Sequence, residues 1–172
     1  MKNSDSFLRE VRLLARLEHP NIVPLYDVGV DESQEPYIIM KLLGGCRFSD
    51  IFQKMAKSKE EYDLPYLLEI FLKVCDATAY AHSRDIIHAD IKPENIQIDD
   101  YGSVLLCDWG LACDLQNEVI LSRRQSSGKA EGTPGSMAPE QLSDEFGPLS
   151  KQTDIYSLGC LLYSILSLKP PL

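Results

Sequence analysis

The chain has 172 residues, of which 44% are apolar and 25% charged; that balance is ordinary for a soluble globular protein, and the length is too short for two typical domains. Lys and Arg total 17 against 26 Asp and Glu, a net charge of −9, which makes non-specific nucleic-acid binding unfavourable. No apolar run reaches the ~20 residues that cross a bilayer, no apolar core follows Lys2 as a secretory signal would require, and five cysteines without a CxxC pair predict a reducing, cytoplasmic setting without a disulfide framework.

In chain order, Ser4-Asp5-Ser6 offers helix-capping oxygens, and Phe7, Val11, Leu14 and Leu17 then recur at helical spacing. His19-Pro20-Asn21 should end that helix, because proline disfavours helical geometry in the residue before it. Residues 22–30 and 36–42 read as two strands joined by the acidic turn 31–35, and Gly44-Gly45 breaks the chain. A longer helix is expected from Pro65 to Ser83, with Leu67, Ile70, Phe71, Val74, Thr78 and Ala81 on one apolar stripe and proline in the first turn, where its missing N–H matters least. Short strand-like pieces follow at 86–87, 96–98 and 104–107. Residues 117–135, rich in Ser, Gly, Arg and Lys, read as a surface loop. The stretch 153–168 reads as a buried helix, its serines arguing against a membrane span.

The chemistry concentrates in His88-Ala89-Asp90-Ile91-Lys92-Pro93-Glu94-Asn95 and in Asp108-Trp109-Gly110. Mg²⁺ prefers hard oxygen ligands and keeps several waters; Asn95 and Asp108 supply two such oxygens. Lys92 can neutralise charge on a phosphoryl group, and Asp90 can orient an attacking hydroxyl or accept its proton. Together they describe metal-assisted phosphoryl transfer. An isolated loop aspartate is usually a turn former; it is the combination that points to catalysis. The three histidines lack metal-ligand spacing, and His19 and His82 read as structural, with no acid–base company.

These motifs resemble the eukaryotic-type Ser/Thr protein kinase family, including its bacterial members, in order along nearly the whole chain. The resemblance implies an α+β, protein-kinase-like fold. Residues 1–40 would form an N-lobe remnant carrying the αC helix and the strands to the hinge, and 41–172 the hinge and the first half of a mainly helical C-lobe, through the αF helix. It implies ATP and Mg²⁺ as cofactors and a protein substrate with a Ser or Thr acceptor. By resemblance Glu10 is the αC glutamate that pairs with an ATP-binding lysine, and Met40, Lys41, Leu42 and Leu43 are the gatekeeper and hinge that face adenine. Asp90 is the catalytic-loop base, Lys92 the phosphate-facing lysine of the Ser/Thr version, and Asn95 and Asp108 the metal ligands. Thr133, with Pro134 and Gly135, supports the Ser/Thr choice. Ala138-Pro139-Glu140 closes the activation segment, Asp154 at the start of the αF helix is the aspartate that holds the catalytic loop, and Leu14, Leu25, His88 and Trp109 fall where the family stacks its regulatory spine.

The sequence also departs from the family pattern. It contains no GxGxxG, and the lysine that should pair with Glu10 is absent. Ala89 replaces the arginine that reads a phosphate on the activation loop, although Ser122, Ser126 and Ser127 lie beside Arg123 and Arg124. Gln97 stands where an apolar side chain commonly lies beneath adenine. Glu140 lacks the arginine of a later helix, and the αF helix should expose one side. Three readings follow: an active Ser/Thr kinase domain truncated at both ends; a catalytically dead fragment or pseudokinase acting as a binding module; and a small-molecule phosphotransferase. Lys92, Ala138-Pro139-Glu140 and Asp154 argue against the third.

Overall fold

The structure, a computed structural model, describes residues 2–58, 63–116 and 135–169. The first helix, α1 (Lys2–Leu14), begins earlier than the capping residues suggested and ends a turn before His19-Pro20. Its last turn tightens, with Arg16 and Leu17 N–H groups bonding three residues back. Val11, Leu13, Leu14 and Leu17 are buried, so the spacing that predicted the helix is also its inward face.

Strands β1 (Leu25–Val30) and β2 (Pro36–Met40) pair antiparallel. Asp31 builds their turn, its Oδ1 accepting the N–H groups of Ser33 and Glu35 at 2.8 and 2.9 Å. The first predicted strand is shorter than expected because Ile22 and Val23 join the other half of the structure instead: Ile22 bridges Leu106 in parallel, and Val23 N–H donates to the Leu106 carbonyl. The hairpin leaves Tyr26, Val28, Val30, Tyr37 and Ile39 exposed.

The chain then makes β3 (Cys46–Arg47) and α2 (Phe48–Ser58), neither of which was foreseen. Helix α3 (Leu64–Ser83) matches its prediction, burying Leu67, Ile70, Val74, Ala77, Thr78 and Ala81. After β4 (Ile86–Ile87) come β5 (Ile96–Ile98), β6 (Val104–Leu106) and β7 (Cys113–Asp114). One sheet runs β3-β5-β6, and β4 pairs antiparallel with β7. The loop expected at 117–135 lies almost wholly outside the described residues, as do Thr133, Pro134 and the Ser122–Ser127 segment. A single turn, α4 (Pro139–Leu142), precedes α5 (Lys151–Ser167), which packs against α3 and β4.

Helix α5 accommodates its polar residues by local bonding: Ser164 Oγ donates to the Cys160 carbonyl at 3.0 Å, four residues back. Its outer face exposes Ile155, Tyr156, Tyr163 and Leu166, the bare side that the sequence led us to expect. One core of aliphatic side chains joins α1, α2, α3, the central strands and α5, and Trp109 is sealed within it at 1% exposure. Among the described residues no helix is long and apolar enough to cross a membrane.

Candidate active site

The loop between β4 and β5 is held from below. Asp154, fully buried in the first turn of α5, accepts the N–H groups of His88 and Ala89 at 2.9 and 2.8 Å and Nε2 of His82 at 2.8 Å. Three donors converge on one carboxylate, which is what a buried charge requires. His82 therefore has the acidic partner that sequence reasoning denied it, 72 positions away. It remains a structural residue, but for a reason that local sequence could not supply.

The loop's own geometry is tight. Ala89 adopts a left-handed backbone (φ 61°) while 1% exposed. His88 accepts the Asp90 N–H at Nδ1 (3.2 Å) and sits 3.0 Å from the Cys107 carbonyl at Nε2, an arrangement that places the proton on Nε2. Complete burial lowers its pKa and keeps the ring neutral, outweighing the opposing pull of nearby carboxylates led by Asp154. The ring packs on Trp109 at 4.6 Å between centroids, and Leu14 is buried in the same core, with Leu25 packed against it, so the four residues expected to stack as a spine share one apolar region.

Asp90 then projects into a set of donors. Lys92 Nζ lies 2.7 Å and Asn95 Nδ2 3.0 Å from its Oδ2, and Asn95 Nδ2 also donates to the Asp90 carbonyl at 2.9 Å. Because Nδ2 is committed there, Asn95 Oδ1 is the atom left for a cation. Asn95 ends a short 3₁₀ turn, and its carbonyl accepts the Cys107 N–H at 2.8 Å, which brings Asp108 alongside. Asp108 is exposed and has φ 60°, an outlier that aspartate tolerates better than most residues. A buried amide oxygen and an exposed carboxylate, both hard oxygens, fit Mg²⁺ with water and phosphate completing its shell.

Gly110 separates two acids. A Cβ there would lie 3.3 Å from Asp108 Oδ1 and 3.6 Å from Glu10 Oε2, so α1 delivers Glu10 to the same place as Asp108. Burial, and then the Asp108 charge, raise the Glu10 pKa. Among the described residues no cation bonds to Glu10. Lys41 is engaged elsewhere, 3.3 Å from Asp99, whose carboxyl is held down at about 2, first by the Ser103 N–H.

The remaining expected nucleotide contacts divide. Met40 and Leu43 pack against the core. Leu42 is 92% exposed, so its side chain faces solvent. Gln97, which stands where an apolar side chain is common, has a partner for its amide: Nε2 donates to the Gly44 carbonyl at 2.5 Å. Cys107 carries a thiol pushed up to about 11 by burial and then by Asp108, and is inert as a nucleophile at neutral pH.

At the other end, Glu140 is half-buried rather than stranded: it accepts the Thr153 hydroxyl at 2.6 Å, a partner within the described residues. Gln141 also bonds the loop, through the Ala89 carbonyl at 2.7 Å. Sequence reasoning missed it, although a Gln at the third helical position is a known capping signal.

The sequence of the chain matches the protein kinase domain model over residues 1–172. The chain belongs to the protein kinase domain family. Among curated relatives it is similar to the serine/threonine-protein kinase PknD of Protochlamydia amoebophila (38% identical over 186 residues) and to that of Chlamydia pneumoniae (38% over 184). The PknD of Chlamydia felis is 35% identical over 185 residues. Each alignment covers 96% of this chain, and the chain spans about a fifth of the length of these relatives, 19% for the first two. The α+β kinase-like fold follows from this membership and from the mixture of helices and small sheets described above.

Proposed function

We propose that this chain is the catalytic part of an ATP-dependent protein kinase that transfers the γ-phosphate to Ser and Thr hydroxyls of proteins. The observation that carries the reading is the convergence of Lys92 Nζ and Asn95 Nδ2 on Asp90 Oδ2, with Asp108 tied alongside through the Cys107–Asn95 bond. In this reading Asp90 orients the acceptor hydroxyl and takes its proton, and Lys92 offsets charge on the transferred group. Asn95 and Asp108 would hold Mg²⁺, which when bound supplies positive charge to the phosphates. Met40, Lys41, Leu42 and Leu43 line adenine, the hinge residues through their backbone, with Gln97 beneath. Glu10 awaits an ammonium partner. Residues 1–40 and 41–172 act as parts of two lobes around that nucleotide. The need for ATP fits a cytoplasmic site of action.

A second reading, a kinase-like binding module without catalysis, is favoured by one observation: Glu10 lies beside Asp108 with no cation bonded to it among the described residues. The deciding experiment measures transfer from γ-labelled ATP to a generic basic protein by the full-length polypeptide with Mg²⁺. Transfer by the parent that disappears in Asp108→Ala supports the kinase. Nucleotide binding without transfer by the parent supports the module.

A further inference from the structure

Gln141 has no part in the transfer chemistry above, yet its side chain reaches the loop that carries Asp90. Ala89 immediately precedes Asp90 and holds a left-handed backbone that side chains disfavour and that persists only where its surroundings enforce it. The enforcement is two-sided. Asp154 Oδ1 accepts the Ala89 N–H at 2.8 Å, and Gln141 Nε2 donates to the Ala89 carbonyl at 2.7 Å. The Ala89 carbonyl belongs to the peptide unit that continues into Asp90.

The orientation of the Gln141 amide is fixed from its other end. Oε1 accepts the Ala138 N–H, at the start of α4, at 2.9 Å. A flipped amide would set donor against donor and acceptor against acceptor. Helix α4 is in turn fastened to α5: the Thr153 hydroxyl bonds Glu140 at 2.6 Å, and Ser157 Oγ bonds the Ser136 carbonyl at 2.9 Å. Asp154 lies between Thr153 and Ser157 on α5, so both jaws of the clamp on Ala89 rest on the same support.

We propose that Gln141 is a positioning residue for Asp90: its amide holds the Ala89 peptide so that the Asp90 carboxylate stays on Lys92 and Asn95. The geometric part stands on the contacts alone; the kinetic part rests on the kinase reading. Misplacing a reacting group by about an ångström costs on the order of a hundredfold in rate. Two variants of the full-length protein separate the bonds. Gln141→Met keeps the length and loses both. Gln141→Glu can still accept from Ala138 but cannot donate to Ala89.

The measurements are kcat and ATP KM, and hydrogen exchange across residues 86–95. Both variants should lower kcat about tenfold to a hundredfold, leave ATP KM within about twofold, and speed amide exchange around Ala89. Should Gln141→Met fail to fold, Gln141→Glu decides, since it keeps the helix-end bond. Parent-like kcat and exchange in the folded variants would overturn the proposal, as would a rise in ATP KM that accounts for the whole loss. If the parent itself transfers no phosphate, exchange alone decides: faster exchange upholds the clamp while the kinase reading fails, and unchanged exchange overturns the clamp.

Discussion

His82 on α3 and Asp154 on α5 meet at 2.8 Å, and the same carboxylate also accepts the N–H groups of His88 and Ala89. Asp154→Ala therefore leaves three donors without an acceptor at a largely buried position. Breaking a buried, hydrogen-bonded charge in this way should remove about 3–5 kcal/mol of stability. His82→Ala deletes one donor and leaves the carboxylate two, so it should cost about 1–3 kcal/mol. Urea unfolding of the two variants checks the order; equal losses would mean that the backbone bonds contribute nothing.

Asp90→Asn should reduce turnover of the full-length protein by about 10²–10⁴, with nucleotide affinity within about threefold, because in the proposed mechanism Asp90 serves the acceptor and not the nucleotide. The amide preserves volume and the Asn95 and Lys92 neighbourhood. Calorimetric ATP titration beside a transfer assay reads both quantities. Weakened nucleotide binding with normal turnover would contradict the role.

Stability should fall with acid through His88. Its pKa is lowered in the folded chain from the ordinary 6.5 by burial. The unfolded chain then binds a proton that the folded chain refuses, so stability is fully present above about 6.5 and declines as pH drops toward the folded pKa. The slope contributed by one such group is at most about 1.4 kcal/mol per pH unit. His88→Phe keeps a ring against Trp109 and should flatten the profile between pH 6.5 and 5 by up to that slope, at the expense of the bond to Cys107. An unchanged slope in unfolding free energies measured across that range would refute the assignment.

Activity should not require phosphate on Ser122, Ser126 or Ser127. The side chain at position 89 is a buried methyl, unable to offer the charge-assisted bonds a phosphate seeks. Replacing the three serines together by Ala should leave kcat within about threefold. A hundredfold loss would mean that another basic group reads a phosphate there.

Most of the site was legible because its residues are close in sequence: Asp90, Lys92 and Asn95 span one loop, and Asp108 follows a short hairpin. Helix α3 was legible because its inward residues, Leu67 to Ala81, keep helical spacing for about four turns. Helix α2 carried a readable signal as well, since Phe48, Ile51, Phe52 and Met55 recur at helical spacing, but it follows directly on a two-residue strand and the Gly44-Gly45 break. The two-residue strands β3 and β7 have no period to detect and exist only because of partners elsewhere, Ile98 and Gln97 for one and Ile86 and Ile87 for the other. Two partners of the loop were hidden for the same reason: His82 meets Asp154 across 72 positions and Gln141 meets Ala89 across 52, whereas Asp154 itself was legible through the family resemblance.

That separation has a consequence for biosynthesis. The N–H groups of His88 and Ala89 leave the ribosome 66 and 65 residues ahead of the carboxylate that binds them. At about 5–20 residues per second, the nascent loop waits roughly 3–13 s for its anchor. During that interval Ala89 has no reason to hold its left-handed turn and His82 has no acid to meet. The half of the site nearest the N-terminus is thus made first but finished last, and a pause in translation anywhere between Ala89 and Asp154 would prolong its exposure to proteases and chaperones.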